Sequence, residues 1–89
     1  MYAVLGVVEL LPGTTEEVAI NDLKQGLIPL VKQAPGFIKG TWFGDDKHGH
    51  GLLVFETEEQ AQQGLLTVGD IFMGVKVVSS GVYRLHAEA

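Results

Sequence analysis

Two histidines one glycine apart, His48-Gly49-His50, form the most conspicuous chemistry-bearing pattern in the chain. In extended backbone, residues two apart project to the same side. Two imidazoles so placed, with Asp45 or Asp46 beside them, have the donor types of a zinc or other divalent-metal site. The competing account is a solvated turn, because Gly, Asp and Lys in Gly44-Asp45-Asp46-Lys47-His48-Gly49 are the residues turns recruit. A turn also lacks the outer hydrogen bonds that orient metal-binding histidines, so the expectation is that no metal is held. Trp42 lies mid-strand. It offers a stacking wall for an aromatic substrate, or else fills a core or an interface. Tyr83, Arg84 and His86 cluster on the last strand, with Arg84 and His86 on one face and Tyr83 on the other. An Arg–His pair can bind a carboxylate or enolate and move a proton, or simply face water or a partner. Glu9 is the one charge in an apolar strand. Buried, it would be a catalytic acid with a raised pKa, but its place near the strand end points to exposure.

Other chemistries are excluded by what is missing. The chain has no cysteine, so disulfides, thiolate ligands and a thiol nucleophile are all absent. Ser79-Ser80-Gly81 lacks the strand-turn-helix setting of a nucleophile elbow, and no phosphate loop or nucleotide fingerprint occurs. The formal net charge is -5, with no basic stripe, which argues against nucleic acid and against an anionic membrane surface. At 46% hydrophobic and 19% charged the chain is a folding one. Met1 to Leu11 has no basic n-region and no cleavage signal, and no apolar run has membrane-spanning length. The expectation is a cytoplasmic protein.

These residues need a scaffold. At 89 residues the chain is expected to be one domain, residues 1–89, with a thin core. Tyr2 to Leu11 reads as a strand ending at Pro12-Gly13. Thr14 with Glu17 reads as a capping box. Ile20, Leu23, Leu27, Val31 and Ala34 then recur at helical spacing, with Pro29 expected to bend the helix and Pro35-Gly36 to stop it. Phe37 to Phe43 and His50 to Glu56 read as a hairpin. Thr57-Glu58-Glu59-Gln60 repeats the capping signature and opens a second helix with a stripe of Ala61, Leu65 and Val68, stopping at Gly69. Val75 to Leu85 is the last strand, with a bulge expected at Ser79-Ser80-Gly81. The order β-α-β-β-α-β predicts an α+β, ferredoxin-like sandwich with a four-stranded antiparallel sheet.

With both helices on one face, the other face of such a sheet should be polar. Here Val4 and Val8 alternate with Leu5 and Val7, Leu53 and Phe55 with Leu52 and Val54, and Phe37 and Phe43 with Ile38 and Trp42. A sheet apolar on both faces needs a second cover, and a second copy of the chain is the simplest one.

Three stretches carry a family resemblance: Leu27-Ile28-Pro29-Leu30, Gln33-Ala34-Pro35-Gly36-Phe37, and Gly51-Leu52-Leu53-Val54-Phe55-Glu56-Thr57-Glu58-Glu59-Gln60-Ala61. Together they resemble the dimeric α+β barrel superfamily, in particular the antibiotic biosynthesis monooxygenase-like (ABM-like) domains. The resemblance implies a homodimer whose sheets close into a barrel, with a pocket between each sheet and its helices. Some members oxidise aromatic polyketides without metal or flavin, others degrade haem, and others isomerise lactones. Phe55 stands where the oxygenases commonly carry Trp, and Trp42 is the residue able to occupy related space. The first strand lacks the Asn of haem-degrading members, and Thr57 to Gly74 contains no axial His.

The expected function is accordingly that of a homodimer acting without a cofactor on a small apolar or aromatic molecule. Trp42 and Phe55 would contact the substrate, and Arg84 or His86 would supply the polar contact. The alternative is a non-catalytic ligand-binding or assembly module. A cavity with converging polar groups would favour the enzyme, and a filled core the module.

Overall fold

The computed structural model describes residues 1–89. Its strands are β1 (Tyr2–Leu10), β2 (Phe37–Gly44), β3 (His48–Phe55), β4 (Ile71–Phe72) and β5 (Val75–Arg84). They form one antiparallel sheet in the order β2-β3-β1-β5-β4. The helical segments are α1 (Glu16–Asp22), a π turn (Leu23–Leu27), α2 (Ile28–Val31) and α3 (Glu58–Gln63). The architecture is α+β and compatible with a ferredoxin-like connection. It departs from expectation in having five strands instead of four. The extra one, β4, folds back on β5 through Met73-Gly74. Both turn residues have positive φ, 49° at Met73 and 74° at Gly74, as a tight hairpin of matching twist requires. Methionine is not a turn-forming residue type, so nothing in the sequence advertised this hairpin.

The first helical rod starts one residue later than the capping pattern suggests. Thr15, not Thr14, is the N-cap, its hydroxyl accepting from the Val18 N–H at 3.2 Å. Thr14 is drawn instead into the Pro12-Gly13 turn, donating its N–H to the Leu11 carbonyl at 2.9 Å. Just before Pro29, the residue expected to bend this rod, the α-helical ladder gives way, and the Ile28 N–H reaches the Leu23 carbonyl in a π turn. A wider turn at this point accommodates a residue that has no N–H to donate. At the rod's end, Gly36 has φ 75°, and a Cβ there would overlap the Gln60 side chain. Gln60 in turn completes the capping box of α3 with Thr57. The Pro-Gly-Phe step and the second cap therefore lock each other. α3 itself ends at Gln63 with Gly64 as cap, short of Gly69, and Val68 is exposed. Of its expected stripe, only Ala61 is fully buried.

Strand pairing fixes which side chains share a face. Val4 lies opposite Leu53 and Val82, and Val8 opposite Gly49 and Val77, so these face the helices. Leu5 and Leu52 face the other way, as the alternation required. β2 does not follow its expected parity. A register shift between Phe37 and Lys39 puts Phe37 and Trp42 on the helix side and leaves Phe43 on the open side. An extra residue in one strand inverts everything after it. A second shift lies between Val7 and Val8, so the bulge in β5 falls at Val78 rather than at the Ser-Ser-Gly stretch.

The core is small. Val4, Phe55 and Ala61 form its centre, with Phe37 set edge-on to Phe55 at 5.9 Å. On the open face, Ala3 and Val54 are buried. There the chain after β5 turns back across the sheet, the Leu85 N–H bonding the Met1 carbonyl and Glu88 pairing with Lys39 of β2. No residue of α1, the π turn or α2 is fully buried. The rod stands off the sheet. No helix is long and apolar enough to cross a membrane.

Candidate functional site

The space under the rod is a cavity of about 410 Å³, within the roughly 300–1,000 Å³ range of small-molecule pockets. Its roof is the stripe the periodicity picked out: Ile20, Leu23, Leu27, Val31 and Ala34 all line it. That stripe faces a void, and the reason is on the floor. Gly6 of β1 lies opposite Gly51 of β3, Val8 opposite Gly49, and Gly49 in turn opposite Gly44 of β2. These positions present bare backbone where strands of this type carry Val or Leu.

None of Gly6, Gly49 and Gly51 has a positive φ, so no backbone requirement selects glycine there. Crowding does not select it at Gly6 either, since a Cβ would meet Leu66 at 3.4 Å, an ordinary contact. Glycine weakens a strand interior. Its presence where neither conformation nor clash demands it is explained by the space it leaves. At Gly51 a different reason holds. A Cβ would meet the Trp42 ring at 2.9 Å, and one on Gly40 would meet its far edge at 2.6 Å. The indole therefore lies flat along the sheet, over two glycines, and forms one wall of the cavity.

The opposite end is closed by the β4–β5 turn. Phe72 and Met73 line the cavity, and Met73 reaches the π turn so closely that a Cβ on Gly26 would meet its methyl at 2.7 Å. The left-handed backbone of Met73 is what aims this side chain across the gap. Such strain persists only where surrounding contacts hold it.

Trp42 and Phe55, the two residues expected to contact a substrate, line this one cavity. They differ in kind: Phe55 is 2% exposed and belongs to the core, whereas Trp42 is half-buried. Arg84 and His86 are not among the lining residues. Arg84 ends β5 and His86 lies beyond it, both exposed, so the strand stops before the two can share a face. Tyr83 is exposed on the open face opposite Ala3. Glu9 is exposed.

His48 and His50 are not in a turn. β3 begins at His48, and pairing sets both on the open-face parity, His48 opposite Glu9 and His50 opposite Val7, while both also border the edge of the cavity. His50 stacks flat on Phe43, centroids 5.1 Å apart, and its Nδ1 is buried without a hydrogen-bond partner. No group of three or more His, Cys, Asp or Glu is gathered to hold a metal ion. The turn is shorter, and Asp45 organises it. Its Oδ1 accepts from the N–H groups of Lys47 and His48, both at 2.8 Å. The His48 bond first, and then the Lys47 bond, hold this carboxyl below its usual 3.8.

The glycine floor, Met73 and the half-buried Asp22 at the start of the π turn escaped the sequence argument. A signal was present for the first. His48-Gly49-His50-Gly51 in a strand places the histidines at one parity and bare backbone at the other. Neither a protein-family model nor a curated protein matches this chain.

Proposed function

We propose that this chain is a small-molecule-binding domain of the ABM-like barrel type, taking a small apolar or aromatic ligand between sheet and rod. The observation that carries the proposal is the void itself: an apolar helix stripe facing a glycine-floored sheet, with Trp42 flat along one wall. A chain this short has little core to forgo. Leaving about 410 Å³ unfilled removes packing that a purely structural module would keep. Most of the lining is hydrophobic, which matches ligands bound by desolvation and shape.

The protein acts as a homodimer in this proposal. The open sheet face carries Leu5, Val7, Phe43, Leu52 and Tyr83, and three of these are among the chain's exposed large hydrophobics. Apolar patches of this kind are normally covered, and a second copy offers a matching one. Cofactor-free oxidation of the bound aromatic is the second version of the proposal. It is favoured by the apolar lining alone, since Arg84 and His86 stand outside the cavity. A cytoplasmic setting accompanies both versions.

Trp42 is the only tryptophan, so its indole N–H resonance reports directly on the cavity. Titration with naphthylmethanol, a neutral aromatic, is expected to shift that resonance saturably, and Gly51→Val is expected to abolish the shift. No shift in the folded wild-type protein would sink the proposal. Oxygen uptake with an oxidisable bicyclic aromatic separates the enzyme from the binding module.

A further inference from the structure

The cavity is apolar, yet its edge carries carboxylates with no permanent cation to offset them. Glu16, Asp22 and Asp45 line it together with His48 and His50, and no lysine or arginine does. This is not a shortage of basic residues. Of six Lys and Arg in the chain, Lys24, Lys32 and Lys39 border a separate groove on the far side of Trp42, between the rod and the β2 edge. Of the rod's charges, Glu16 and Asp22 border the cavity and Lys24 and Lys32 the groove, and Trp42 touches both spaces.

The three carboxylates are not equivalent. Asp45 is occupied by the two N–H groups of its own turn. Glu16 is exposed in the first turn of α1. Asp22 alone is half-buried. It opens the π turn without making a side-chain cap hydrogen bond, and the chain's single ion pair, Lys39 with Glu88, does not involve it. A carboxylate partly withdrawn from water beside an apolar void interacts more strongly with a counter-charge than one in bulk solvent. The neighbouring indole face also attracts cations.

We infer that the cavity selects ligands carrying a cationic amine on an apolar or aromatic body, with Asp22 as the counter-ion. This inference rests on the proposed binding function and names the ligand class of the same site. An anionic ligand of equal shape would meet three carboxylates and no lysine or arginine. A neutral ligand would gain the apolar contacts only.

A matched set sharing one naphthyl body tests it: naphthylmethylamine, naphthylmethanol and naphthoate, titrated calorimetrically into wild type and Asp22→Asn. The alcohol should bind both proteins equally. The amine should bind wild type roughly tenfold tighter than the alcohol, and naphthoate should bind weakest. Asp22→Asn should erase the amine's advantage, whereas Lys24→Gln, across Trp42, should leave it intact. The amine's affinity for wild type should also fall with added salt while the alcohol's does not. This salt test needs no variant and stands even if Asp22→Asn fails to fold. An alcohol that binds with an amine no tighter overturns the charge inference and leaves the binding function standing. An amine advantage that survives Asp22→Asn or high salt overturns it as well. Absence of binding by all of the set overturns both.

Discussion

At the residue scale, Trp42 and Phe55 take different roles despite sharing a cavity. Phe55 touches Val4 and Ala61 in a core with few other members. Phe55→Ala should cost about 3–5 kcal/mol, a large share of the roughly 5–15 kcal/mol available to a small domain. Urea denaturation should register this as a steep fall in midpoint. Trp42→Phe, by contrast, should leave the midpoint nearly unchanged and weaken aromatic ligands, as read by calorimetry. Asp45 gives a pH prediction. Its carboxyl is held below 3.8 by backbone donors, so the folded state favours the ionised form. The stabilisation is fully present above the unfolded value and is lost as pH falls through the lowered folded one. The urea midpoint advantage of wild type over Asp45→Ala should therefore persist above about pH 4 and shrink below it. An advantage that grew on acidification would contradict the hydrogen-bonding account.

At the element scale, the first rod was legible in its apolar spacing but not in its consequence. Periodicity says which residues share a face; it does not say whether that face meets side chains or empty space. The answer lay in the partner strands, whose glycines the hydrophobic pattern skips over. The same limit explains β2. Alternation read from Phe37 onward put Phe37 and Phe43 together, and a bulge invisible in the residue types separated them. Capping chemistry was legible at Thr57, where Gln60 reciprocates, and misplaced by one at Thr14, because two adjacent threonines compete and the preceding turn claims the first. Strand order near the C-terminus was half legible, since β4 depends on a methionine in a left-handed conformation. The rod yields a prediction of its own. Pro29→Ala restores an N–H and removes the reason for the π turn, so circular dichroism should show equal or greater helicity. Ligand affinity should fall as Leu27 and Val31 rotate relative to the floor.

At the scale of the whole molecule, the two faces of the sheet carry different duties. One faces a cavity and the other an apolar plain partly crossed by the chain's last residues. A charge placed on the plain should break the proposed dimer without touching the cavity. Leu52→Glu is expected to sediment as a monomer where wild type sediments as a dimer. Its affinity for naphthylmethanol should stay within about twofold, because sites on opposite faces with no shared partners behave independently. Arg84 and His86 stand at and beyond the end of β5, outside the residues that line the cavity.

Because the floor of the cavity is set by missing side chains rather than by loops, its dimensions are adjustable in atomic steps. Gly6 has ordinary backbone and room for a methyl group, so alanine and then valine there would shorten the chamber without re-routing the chain. Gly49 has less clearance, with Val8 at 3.1 Å from a would-be Cβ, and marks the stiffer side. A ladder of such variants would grade ligands by girth, and the rung at which each is refused would measure the outline of the chamber.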